Sequence, residues 1–133
     1  MPIFKWMIQV IIDTNMLLLP GQFHIDIFSQ MEEVMDLPFE LVYIDGTERE
    51  LMKLAESGSQ KDRMAAKLGL ILLKQKSLKS MSSSAGESVD DAIVRLCGPK
   101  IGVATLDKEL KKRVKAKKAM IITLKQKKYL IRE

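Results

Sequence analysis

Apolar residues follow two rhythms along this chain, and the change between them marks out its elements. Met7, Ile8, Val10, Ile11 and Ile12 form a short β-branched run almost free of charge, the pattern of a strand buried on both faces of a parallel sheet. Helical spacing follows from about Ile25 to Met35, with Ile27, Phe28, Met31, Val34 and Met35 on one face. Between the two, Pro20-Gly21 reads as a turn. His24, the single histidine, falls at the start of the helix and reads as a surface or capping residue, having no Cys or His neighbour to share a metal with. Asp36 to Pro38 ends the helix, and Leu41 to Ile44 is a second short strand.

The alternation continues. Thr47 to Glu50 opens a helix that turns Leu51, Leu54 and Ala55 inward; Ser57 to Gln60 interrupts it, and Arg63 to Lys76 forms another with a predicted stripe of Met64, Leu68, Ile71 and Leu72. Serine-rich Ser77 to Ser88 is predicted to be a mobile surface loop. A helix from Ser88 buries Val89, Ala92, Ile93 and Leu96 and stops at Gly98-Pro99, since Gly then Pro commonly closes a helix. Ile101 to Ala104 is a third strand, Lys108 to Lys117 a helix, and Met120 to Leu124 a last strand before a basic tail that retains Tyr129, Leu130 and Ile131. Strands alternating with helices predict one three-layer α/β/α domain over residues 1–133, with a central, mainly parallel sheet of four or five strands.

A chain of 133 residues that is 47% hydrophobic suits a single domain with a substantial core. No apolar run approaches the roughly 18 residues of a membrane span, and Met1 to Val10 lacks the layout of a signal peptide, so a cytoplasmic protein is expected. Cys97 is the single cysteine; it has no partner for an internal disulfide and reads as a core thiol. The net charge of +5 is unevenly spread. Residues 100–133 carry 12 of the 22 Lys and Arg, against only Asp107, Glu109 and Glu133. A basic third beside an acidic remainder suits a polyanion held at one end while carboxylates elsewhere do different work.

Four of those carboxylates stand out by position. Asp13 follows the first strand and Asp107 the third, and in a parallel sheet both emerge at the carboxyl edge, where open α/β folds bind ligands. Glu50 and Asp91 fall in the first turns of helices that begin at the same edge. Each also has a local structural use. Asp13 and Asn15 can shape a turn, Thr47 with Glu50 and Ser88 with Asp91 have capping-box spacing, and Asp107 can cap a helix. Converging without a counter-charge, the four would raise one another's pKa, so such a cluster is expected to hold a hard divalent cation. Oxygen-only donors suit Mg²⁺ or Mn²⁺ rather than zinc. A metal so held can activate water and offset the charge developing on a phosphodiester. Lys108, Lys111, Lys112, Arg113 and Lys115 follow the last acid and are placed to hold backbone phosphates. Trp6, Tyr43, Tyr129 and four Phe are the aromatic residues available for stacking, which limits base-specific reading.

At these residues the sequence resembles the PIN-domain ribonucleases. IIDTN at 11–15 is similar to their opening Asp-Thr-Asn motif, REL at 49–51 to the segment carrying a helix glutamate, DAIV at 91–94 to their third acid, and ATLD at 104–107 to their strand-end Thr-x-Asp. Paired Asp90-Asp91, the run ATLDKELKKRVKAK at 104–117 and KYLI at 128–131 resemble the rRNA-processing branch related to the small-subunit processome endonuclease. The resemblance implies a Mg²⁺- or Mn²⁺-dependent endoribonuclease acting on structured RNA, with rRNA precursor as the expected substrate. It makes Asp13, Glu50, Asp91 and Asp107 the catalytic and metal-binding acids, with Asn15 and Thr105 supporting them by hydrogen bonds. Asp90 is an extra acid able to replace or assist Asp91.

Two other classes with an aspartate at a strand end are set aside. Aspartate-nucleophile phosphatases need a second Asp two residues on, where this chain has Asn15, and response-regulator receivers need paired acids after the first strand and a mid-chain phosphoacceptor. Two readings within the resemblance stay open: a non-catalytic RNA-binding or ribosome-assembly module, and a toxin-type ribonuclease of a toxin–antitoxin pair. The sequence also leaves open whether the chain forms a homodimer or works with ribosome-assembly factors.

Overall fold

The computed structural model describes residues 7–133; Trp6 and the rest of the stretch Met1 to Trp6 lie outside the described residues. The apolar run near the start becomes β1 (Ile8–Ile12), which is parallel to β2 (Phe39–Ile44) on one side and to β4 (Ile101–Ala104) on the other. β3 (Lys79–Met81) extends the sheet beyond β2, and β5 (Met120–Lys125) and β6 (Tyr129–Arg132) extend it beyond β4. The order is β3-β2-β1-β4-β5-β6, with only β6 antiparallel. β1 is central, so both its faces meet side chains. Val10 and Ile12 join the core under α1 (Leu19–Phe23), α2 (Ile27–Val34), α3 (Asp45–Ser57) and α4 (Gln60–Gln75). Ile11 joins the core under α5 (Val89–Leu96) and α6 (Lys108–Ala116). Burial on both sides explains why the strand reads as a continuous apolar run rather than an alternating one.

Among the described residues the sheet has six strands, not the four or five expected. β3 falls inside the segment read as a mobile loop, and its Lys79, Ser80 and Met81 give no apolar alternation because it is a short edge strand, half in solvent. The rest of that segment is tied down as well: Ser83 donates through its backbone N–H and its hydroxyl to Asp45 Oδ1 (3.2 and 2.6 Å), and Arg95 Nε bonds Glu87 at 2.9 Å. β6 uses the Leu130 and Ile131 of the basic tail, and Leu130 is buried.

Two local readings also change. Pro20-Gly21 is not a turn but the first half of α1, with Pro at a position where its missing N–H is not needed. On α4 the buried positions are Ala65, Ala66, Gly69 and Leu73, whereas Met64 and Ile71 are 66% and 51% exposed. The reason is close approach. A Cβ on Gly21 would lie 2.6 Å from the Ala65 Cα, and one on Gly69 would lie 3.0 Å from the Leu17 carbonyl oxygen. Small residues, not the large apolar ones, therefore form the face of this helix that packs on α1, the Leu17 backbone and Leu51 of α3. His24 closes α1 in the left-handed conformation (φ 56°), and Cys97 is buried, its thiol pushed up to about 11 by burial.

The α1–α4 contact sets a prediction. Gly21→Ala is expected to destabilise the fold by about 1–3 kcal/mol, the usual range for overpacking. The check is a lower urea midpoint at unchanged slope; an unchanged midpoint would mean that the two helices separate freely.

Candidate active site

The sheet order places a topological switch between β1 and β4, from which the chain winds outward in both directions, and the crevice at the carboxyl ends of those two strands is where such folds bind ligands. The ladder pairs Ile12 with Ala104, so Asp13 and Thr105 are the next residues out on each strand. The Asp13 N–H bonds the Ala104 carbonyl at 2.9 Å. Its carboxylate is held on both oxygens: Oδ1 accepts from the Thr14 N–H and Oδ2 from the Thr105 hydroxyl, each at 2.8 Å. Thr105 Oγ1 in turn accepts the Asp107 N–H at 3.1 Å, and Asp107 Oδ1 caps α6 by accepting from the Leu110 N–H at 3.0 Å. One threonine thus fixes the two strand-end acids relative to each other.

Glu50 is positioned by a second threonine. Its capping box with Thr47 does not form, because α3 begins at Asp45 and carries Thr47, fully buried, within its first turn. The Thr14 hydroxyl instead lies 2.6 Å from Glu50 Oε1 and 3.0 Å from Thr47 Oγ1. A carboxylate can only accept, so Thr14 donates to Glu50 and Thr47 supplies the proton of the other contact. Thr14 was not singled out in the sequence; its signal was its place between Asp13 and Asn15. Asn15 itself stands exposed at the rim of the same hollow.

The paired acids of α5 part company. Ser88 caps the helix by accepting from the Asp91 N–H at 3.1 Å, and the Asp91 carboxylate, 58% exposed, turns to Arg113 of α6 at 2.8 Å. Asp90 faces the hollow instead, with Asp13, Glu50 and Asp107. Successive helical residues point about 100° apart, so only one of the pair can look over the sheet edge. Of the two acids expected at the cluster, Asp90 lines the hollow and Asp91 stands outside it.

The hollow has a volume of about 510 Å³ and is also lined by Asn15, Lys53, Leu54, Ser57 and Gly58. Burial is the main reason that Asp13, 5% exposed, is pushed up to about 6; the charges of Asp90 and Glu50 add to it, and the bonds from Thr105 and Thr14 oppose it. Asp90 is also raised, first by burial and then by the charges of Asp107 and Glu50. Asp91 is lowered, by its bond from Arg113 and then by Ser88. The crowding of like charge falls on Asp13 and Asp90, where a cation would relieve it. Among the described residues no three His, Cys, Asp or Glu side chains are drawn together as a finished metal cage. That is compatible with a Mg²⁺-like ion, which is bound through one or two carboxylates and keeps several waters. The donors are all oxygens, which suits a hard cation.

The basic residues are placed less simply than their sequence suggests. Lys111 pairs with Glu133, Lys112 with Glu109 and Arg113 with Asp91, while Lys108 and Lys115 are exposed on α6. None of the five lines the hollow; among the described residues the cation that does is Lys53, one turn beyond Glu50 on α3. An acid followed three residues later by a lysine was the available sign, since that spacing puts both on one helix face.

Residues 10–127 match the family described as PIN like domain. Ribonuclease VapC4 of Methanocaldococcus jannaschii is 29% identical over 125 residues, spanning 92% of this chain and 95% of that one. The structure of the PIN domain endonuclease Utp24 superposes with a TM-score of 0.75 at 26% identity, covering 94% of this chain and 90% of that one. A six-stranded sheet switching at β1 and β4, with acids from both strand ends beneath it, is therefore the framework of a member of the PIN-like domain family, to which this chain belongs.

Proposed function

We propose that the protein is an endoribonuclease dependent on Mg²⁺ or Mn²⁺, with Asp13, Glu50, Asp90 and Asp107 surrounding the metal, one or two of them as direct ligands and the others through its waters. The observation that carries this reading is the convergence of those four carboxylates on one hollow, two of them with raised pKa. A divalent cation bound there supplies a water of lowered pKa and positive charge against the phosphodiester. The chain's own contribution is orientation. Thr105 and Thr14 keep Asp13 and Glu50 in fixed rotation, and such supporting bonds tune a metal site nearly as much as its ligands do. Lys53 offers a positive charge on the wall of the hollow to a phosphate of the bound strand.

The substrate proposed is rRNA precursor, supported by the basic α6 and by the likeness of residues 104–117 to the rRNA-processing branch. Ribosome-assembly factors are then the partners to look for. A second reading, a toxin-type ribonuclease, keeps the same hollow and is supported by the likeness to ribonuclease VapC4. Mapping cuts in total RNA separates the two: cuts confined to rRNA precursor support the first, and growth arrest on expression supports the second.

Two outcomes test the site. Asp90→Asn is expected to lower Mn²⁺-dependent cleavage by about 100-fold or more, in the range of losses when metal-site groups are removed, while Asp91→Asn stays within a few-fold. The reverse ranking would return Asp91 to the site. The second outcome concerns pH in metal-free buffer. Asp13 has its folded pKa raised from 3.8 to about 6, so the folded state binds its proton more tightly, and the associated stability is lost as pH rises through 6. Relative to Asp13→Asn, the protein should lose about 1 kcal/mol between pH 5 and pH 8 in urea melts, and Mn²⁺ at pH 8 should restore it only in the unsubstituted protein. A flat difference across that pH range would contradict the buried, charged Asp13.

A further inference from the structure

Phe23 ends α1 with its ring 38% exposed, and two ammonium groups stand over that ring: Lys61 Nζ at 5.8 Å and Lys127 Nζ at 5.9 Å from its centroid. An exposed aromatic ring between two lysines is an arrangement suited to a nucleobase, which can stack on the ring while its phosphates meet the charges.

The place of this group in the fold strengthens the point. Lys127 lies in the turn that follows β5, and β5 is parallel to β4, so the turn projects from the sheet edge that also delivers Asp13 and Asp107. Lys61 is in the first turn of α4, three residues beyond Gly58, which lines the hollow. α1 brings Phe23 alongside, running against α4 through the close contact of Gly21 with Ala65.

The turn itself is held in an unusual form. Gln126 and Lys127 both have φ 55°, with the Lys128 N–H bonded to the Lys125 carbonyl at 3.1 Å. Two consecutive positive-φ residues make the tight hairpin turn that normally calls for Asn-Gly. Side-chain residues held there persist only where their surroundings fix them. Gln30 of α2 does so from both ends of its amide, donating to the Lys128 carbonyl at 3.2 Å and accepting from the Leu130 N–H at 2.6 Å. The ring and its lysines are thus presented on pinned backbone.

We infer that Phe23, Lys61 and Lys127 form a subsite for an unpaired nucleotide of RNA, outside the carboxylate hollow and on the same edge of the sheet. The base takes the place of the lysine ammonium groups over the ring, and the two flexible side chains swing from it to the flanking phosphates. The inference rests on RNA being the substrate and adds to that reading a binding position for the strand outside the hollow.

The test is fluorescence-anisotropy binding of a single-stranded oligoribonucleotide and of a duplex, in EDTA so that nothing is cut, with a Mn²⁺ cleavage assay alongside. Phe23→Ala should weaken single-strand binding about tenfold, within the range seen for loss of a stacked base, and leave duplex binding unchanged. Phe23→Trp should restore it. Lys127→Ala, on a surface turn, should weaken binding and flatten the salt dependence by about 0.7 in the log–log slope. If the unsubstituted protein binds the strand as described yet cuts nothing, the nuclease reading fails and the subsite stands. If it cuts RNA while Phe23→Ala and Lys127→Ala bind like the parent, the subsite is wrong and the nuclease reading stands. Absence of any RNA binding by the unsubstituted protein would overturn the subsite as well.

Discussion

A carboxylate buried at the seam between β1 and β4 is the constraint on which the rest of this structure depends. Asp13 has almost no contact with solvent, and a buried carboxylate is costly unless its oxygens are met by donors. The donors are the hydroxyl of Thr105 on the neighbouring strand and the backbone of Thr14. Each of those threonines reaches a further acid, Thr105 through the Asp107 N–H and Thr14 through Glu50 Oε1. Satisfying one buried group therefore fixes three acids from three elements. Asp90 completes the set from the opposite layer, carried by α5.

The arrangement is stressed by design of its chemistry. Hydrogen bonds hold Asp13 but do not cancel its charge, and burial still raises its pKa to about 6. Asp90 is raised for the same first reason, with Asp107 and Glu50 adding to it. Asp91, one residue on, has the opposite environment: an exposed position and an arginine that lowers its pKa. Two adjacent aspartates are thus divided by helix geometry into one that strains the fold and one that ties α5 to α6. Perturbed acids gathered in a hollow are a mark of functional sites, whereas the exposed ion pair of Asp91 with Arg113 lies outside it.

Much of the fold was legible in the sequence wherever burial was two-sided or periodic. β1, β2, β4, β5 and most helices stood out because the apolar residues of their faces must be buried. β3 was not, since Lys79, Ser80 and Met81 border solvent, and α4 was misread because the face that packs is made of Ala65, Ala66 and Gly69. Hydrophobicity does not reveal a face chosen for close approach. In the site, Asp13 and Asp107 were readable from strand ends alone. The choice between Asp90 and Asp91 depended on the angle of α5, and the roles of Thr14 and Lys53 on where α3 passes. Those are tertiary facts that no local pattern carries.

The four carboxylates that line one hollow are proposed to share a divalent cation. The most direct measurement is anomalous scattering from crystals soaked in Mn²⁺. A manganese peak is expected within the hollow bordered by Asp13, Glu50, Asp90 and Asp107. A peak beside Asp91 and Arg113, or full Mn²⁺ soaking with no peak in the hollow, would contradict it.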